Sequence, residues 1–221
     1  MTEGRVRALT GGAGLAAVML MVVGWVLVPQ DPPGPAAVAE QVVRWTLNDR
    51  RSLLLGSVTI AAGLGLAIVF FAGLRALCAR AEGAPGILAT IGWGSMLVAL
   101  AIAFVAIAIA QTQAFLVLDG DPATVEAFHD ARLILLDMAG LPAAVGLLGF
   151  GLVMVRTRFP SRWLGAFAGV AAVTQVFGVL ALSRSGFFAP SGGASLLGAV
   201  GLAAWVATVS MFLLARPGDS P

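Results

Sequence analysis

ILATIGWGSMLVALAIAFVAIAIA, residues 87–110, runs for 24 positions without one charged side chain. About 20 predominantly apolar residues are enough for a helix to cross the hydrocarbon core of a bilayer. Ala84-Pro85-Gly86 breaks the chain before this segment, and Gln111, Thr112 and Gln113 mark its polar end. It therefore reads as a transmembrane helix over 87–113. Similar runs lie on either side, and together they predict spans at 8–28, 52–77, 87–113, 131–155, 163–182 and 194–215. The expected fold is all-α: a polytopic membrane helix bundle of six transmembrane helices in a single domain, residues 1–221.

Composition agrees. The 221 residues are 59% hydrophobic and 11% charged, against about 45–50% and about 25% in soluble domains. All 13 basic residues are Arg and none is Lys, the usage expected of a GC-rich coding bias. They are scattered between helices rather than massed on one face, which excludes nucleic acid as a partner. Cys78 is the only cysteine. An internal disulfide, a CxxC redox pair and a cysteine zinc site are all excluded.

The first span follows Arg5 and Arg7, as a signal peptide would, and Ala37-Val38-Ala39 offers a small-residue cleavage site. The apolar run is about twice the length of a signal's, and the site lies beyond Pro29, Pro32, Pro33 and Pro35, so the span is expected to be retained. Residues 36–51 then suit a short helix lying in the outer interface or, equally, a solvated linker helix. Val38, Val42 and Trp45 share its apolar face, with Trp45 at headgroup level. Asp121 before Pro122 has the form of an N-cap followed by N1. The helix it opens, running to Val155, is too long for one straight crossing. Its first turns should project outside, and Pro142 should bend it inside the bilayer.

Arg5, Arg7, Arg75, Arg80, Arg156, Arg158, Arg162 and Arg216 fall on one side of this topology; Arg44, Arg50, Arg51, Arg132 and Arg184 fall on the other. The positive-inside rule makes both termini cytoplasmic. The site of residence is then a bacterial cytoplasmic membrane. Packing should rest on small residues: Gly165 with Gly169, Ala194 with Gly198, Gly63 with Ala67, and Gly146 with Gly149. Packing within the chain is favoured over homodimerisation. Trp25 and Trp163 read as interface anchors, Trp93 and Trp205 as packed between helices.

One face of the fourth span carries the chemistry. Glu126, His129, Asp130, Leu133 and Asp137 fall within an arc of about 100°. Asp137 reaches furthest into the membrane, where an ionisable side chain usually faces the bundle interior. Arg50, Arg51, Gln111, Gln113, Arg184 and Gln175 lie at matching depth. The expectation is an outward-facing polar cluster around Asp137, serving as a ligand pocket or as a structural clamp to Arg184 or Gln175. No catalytic residues, cofactor or metal site are legible. His129 is the only histidine, so a bis-histidine haem fails. Gly92-Trp93-Gly94-Ser95 lacks the following glycine and a histidine base for a serine protease. No phosphate loop or dinucleotide fingerprint is present.

Arg158-Phe159-Pro160 followed by Trp163-Leu164-Gly165, with the long first outer loop and the charged extension before the fourth span, resembles an uncharacterised family of bacterial integral membrane proteins. That family carries a domain of unknown function and is frequent in high-GC Gram-positive bacteria. The resemblance implies six spans and no catalytic residues. Three functions are weighed: non-enzymatic binding of a partner, lipid or small molecule; proton- or ion-coupled transport on Asp137; and lipid chemistry on His129 and Asp130. The first is favoured.

Overall fold

Eight helical segments form among the residues described by the computed structural model, which are 2–29, 32–35, 37–180, 183, 185–190 and 192–215. They are α1 (Glu3–Leu27), α2 (Ala39–Asn48), α3 (Arg50–Glu82), α4 (Ile87–Leu116), α5 (Pro122–Met138), α6 (Gly140–Thr157), α7 (Arg162–Val179) and α8 (Gly193–Ala215). With α5 and α6 taken as one, six helices are long and apolar enough to cross a membrane. The chain is an all-α, multi-pass membrane helix bundle. Its helices extend past the expected spans, notably at α1, α3 and α4. α2 is shorter than its expected range.

Each spanning helix packs against the one before it, and α8 closes the set against α1. The result is a ring of six, in which α3 also touches α6 across the middle. Aromatic side chains fill that middle in the half nearer the α1 N-terminus. Phe70 meets Phe71 edge-on at 5.0 Å; Phe71 stacks on Phe150 at 6.1 Å, and Phe150 on Trp205 at 6.5 Å. Trp205 is fully buried and its indole N–H donates to the Leu164 carbonyl at 3.1 Å, which ties α8 to α7. Trp25 and Trp163 are exposed on the lipid-facing surface.

Between lipid-immersed helices the attraction is close packing, which small residues permit. Three glycine pairs lie at close approaches between neighbouring helices. A Cβ on Gly24 of α1 would lie 2.9 Å from the Gly56 carbonyl oxygen of α3. On Gly149 of α6 it would lie 2.8 Å from the Gly92 nitrogen of α4, and on Gly165 of α7, 2.6 Å from the Gly151 oxygen of α6. Gly63 and Gly146 also sit at contacts, against Ala17 and Met96. Gly169, the second member of the GxxxG pair, has nothing within 4 Å.

The long fourth span begins as its sequence says. Asp121 accepts a hydrogen bond from the Thr124 N–H at 3.2 Å, with Pro122 at the first helical position. It is interrupted at Ala139, one turn before Pro142. Proline has no N–H for the Met138 carbonyl, so the ladder lapses there. Gly140 lies against α7, where a Cβ would be 3.0 Å from the Gln175 carbonyl oxygen.

Candidate functional site

The residues gathered by sequence fall into two places at the end of the bundle away from the α1 N-terminus. The first lies under α2. This helix docks on α5 and α4 through Val42 and Thr46, both 1% exposed, and Val42 packs with Val117 and Val125. Val38, expected on the same face, is exposed. Trp45 is half-buried and turns inward: its ring meets the His129 ring edge-on at 5.7 Å and lies under the Arg132 guanidinium at 5.9 Å.

His129 is fully buried, and its partners fix its tautomer. Its Nε2 lies 2.7 Å from the Pro33 carbonyl oxygen, which can only accept, so Nε2 carries the hydrogen. Nδ1 then offers its lone pair to the Gln113 amide at 3.4 Å and to Arg132 Nη2 at 3.5 Å. The same Gln113 amide donates to Thr46 Oγ1 at 2.9 Å, and Thr46 donates to the Val42 carbonyl at 2.9 Å. One chain of bonds thus joins the proline loop, α2, α4 and α5. It is incomplete. Gln113 Oε1, Arg132 Nε and Trp45 Nε1 are buried without a hydrogen-bond partner among the described residues. No carboxylate among the described residues lies within ion-pair distance of Arg132, which is 7% exposed.

The second place is the α5–α6 break. Asp137 is 8% exposed and faces Ser195 at the start of α8. The two stop short of a formed bond, since Asp137 Oδ2 and Ser195 Oγ are both without a partner among the described residues. Gln175 does not clamp Asp137; its amide donates to the Gly198 carbonyl at 2.7 Å and joins α7 to α8. The alternative partner, Arg184, lies outside the described residues, as does Arg216.

The other members of the expected cluster stand apart. Arg50 caps the end of α4, its Nε donating to the Ala114 carbonyl at 2.6 Å and its guanidinium lying 5.1 Å from the Phe115 ring centre. Arg51 is exposed, and Gln111, Glu126 and Asp130 are half-buried. Arg132 is the residue that sequence reasoning left out of the cluster. It stands three positions after His129, hence on a neighbouring stripe of the same helix, and that spacing was the available signal. No three metal-ligating side chains converge among the described residues. An apolar cleft of about 300 Å³ between α6 and α7, lined by residues such as Ala144, Leu148, Val173 and Phe177, opens towards lipid.

No family model, curated protein or solved structure matches the chain.

Proposed function

We propose that this membrane bundle is a non-enzymatic binding protein that takes a partner, a lipid or a small molecule through its outer half. The observation that carries the reading is the cluster under α2, where a buried cation and two other buried polar groups have bonding capacity left over. Buried polar groups are ordinarily satisfied, and the exceptions call for an occupant or a task. The orientation proposed is both termini in the cytoplasm of a bacterium, with α2 outside, on the arginine distribution. Membership of the uncharacterised family with the Arg-Phe-Pro and Trp-Leu-Gly signature is proposed on those residues alone.

Native mass spectrometry on protein extracted gently from its own membrane tests the reading. A discrete bound mass or a co-purifying subunit is the expected result. Catalytic turnover that depends on His129 or Asp137 would overturn it.

A second reading, proton- or ion-coupled transport, is favoured by one observation: Asp137, whose Oδ2 has no hydrogen-bond partner among the described residues, stands beside a helix break. Liposome flux that Asp137→Asn leaves unchanged would remove it.

A further inference from the structure

We infer that the cluster under α2 binds a phosphate group through Arg132 and Trp45, presented by a phospholipid headgroup or by free inorganic phosphate. The inference rests on the binding reading above and names the chemistry of its ligand.

An isolated charge is among the costliest groups a fold can bury, and it persists where it is paired. Arg132 is buried and has no carboxylate among the described residues. Its planar face is taken by Trp45 and one terminal nitrogen by the His129 lone pair. The unused Nε–H is the edge left for a counter-ion. Trp45 supplies a second unused donor, its indole N–H. A cation and two N–H groups without an acceptor are the complement of an oxyanion, and guanidinium matches phosphate and carboxylate oxygens in particular.

The third orphan selects between them. Gln113 Oε1 accepts and has no donor facing it. A hydrogen phosphate carries its own O–H, and a glycerol headgroup carries hydroxyls beside its phosphate; a simple carboxylate at neutral pH has no hydrogen to give. His129 holds the three groups together. Gln113 and Arg132 both reach its Nδ1, and Trp45 packs on its ring.

Depth agrees with a headgroup. Counting outward from Arg156, about 20 helical residues cross the hydrocarbon and end near Leu136. Arg132 lies one turn further out, about 6 Å, within the headgroup layer. α2 rests on the cluster through Val42 and Thr46, so admitting an anion requires a tilt of one ten-residue helix rather than a change in the bundle.

The test uses the full chain in neutral detergent. Phosphatidylglycerol, phosphatidylcholine and inorganic phosphate are added separately, with native mass spectrometry and thermal melting as readouts. One retained phosphatidylglycerol and a raised melting temperature, with phosphatidylcholine weaker, would assign the headgroup. The same rise with inorganic phosphate alone would assign the free anion. Arg132→Gln should weaken binding about tenfold or more, and Trp45→Phe, which keeps the ring and removes the donor, about fivefold. If Arg132→Gln fails to fold, Trp45→Phe decides. The phosphate inference is overturned if neither phosphate source alters melting, or if a folded variant binds as the parent does. A neutral bound mass under those conditions would leave the binding reading standing. Bare protein would sink both.

Discussion

Gly165 and Gly169 are one turn apart on α7 and equivalent as a GxxxG pair, yet replacing each with alanine should have opposite effects. A Cβ on Gly165 would stand 2.6 Å from the Gly151 oxygen, 2.7 Å from Val155 Cγ2 and 3.0 Å from the Val155 nitrogen. Two of these atoms are backbone and cannot rotate away. A carbon settles against a carbonyl oxygen at about 3.3 Å or more, so α6 and α7 must part by roughly 0.7 Å along that seam. Forcing an extra methyl into a packed contact costs about 1–3 kcal/mol. At Gly169 the new methyl meets nothing within 4 Å, and alanine is the better helix former by up to about 1 kcal/mol. That gain is common to both positions and cancels in the comparison, so Gly165→Ala should be less stable than Gly169→Ala by about 1–3 kcal/mol, the overpacking cost alone. Reversible unfolding in mixed detergent micelles, followed by circular dichroism, measures the difference. Equal stabilities would refute the seam, and with it the order in which the helices neighbour one another.

His129→Phe keeps a ring under α2 but removes the bond to Pro33. Amide hydrogen exchange in α2 should accelerate, while exchange in α3 and α6 stays as it was. Gln175→Leu breaks the link from α7 to the Gly198 carbonyl and should lower stability by about 0.5–1.5 kcal/mol, the range of interhelical bonds in bilayers; no loss would remove that link from the account. Trp205→Phe preserves the aromatic stack and loses the bond to Leu164, for about 1 kcal/mol in the same unfolding assay. Asp137→Asn gives Ser195 a donor in place of a carboxylate oxygen that has no partner among the described residues. It should leave stability unchanged or raise it by about 1 kcal/mol, and a marked loss would mean that the carboxylate has a partner the native fold requires.

The fold was legible because lipid imposes a length. Uncharged runs such as Ile87–Ala110 have one reading, and Asp121-Pro122 and Pro142 mark a start and an interruption by what their backbones can and cannot donate. Ring closure was not legible, since any of several small-residue faces would serve. Gly165 and Gly169 look alike until the neighbour is in place. The docking of α2 was half legible. Val42 belongs to an apolar face in either setting, but Val38 and Trp45 fit an interfacial helix as well as a lid. Only the fold tells that Trp45 covers His129 while Val38 remains exposed. Likewise the helical arc joined His129 to Asp137, and the structure separates them because α5 is flanked by different neighbours along its length. At His129 it meets α2 and α4; at Asp137, two residues before the break, it faces Ser195 of α8.

The two halves of the bundle divide the physical work, and this bears on the choice between binding and transport. In the half nearer the α1 N-terminus the ring is filled by Phe70, Phe71, Phe150 and Trp205, whose contacts run from α3 through α6 to α8. A transport path would need polar groups to continue past them, and each of these rings is buried. In the other half, buried polar groups gather under α2 and at the α5–α6 break, and both places retain atoms without a hydrogen-bond partner among the described residues. Arg7 Nε and Ser210 Oγ, on the α1 N-terminal side, are also buried without a hydrogen-bond partner among the described residues, but the aromatic stack separates them from the cluster under α2, so a ligand of that cluster arrives and leaves from one side. Transport would require the aromatic stack to open. An Asp137-dependent flux should therefore rise when Phe150 is cut to alanine, whereas a one-sided binding site would gain no flux from the same change and would lose only stability, about 3–5 kcal/mol for a buried phenylalanine.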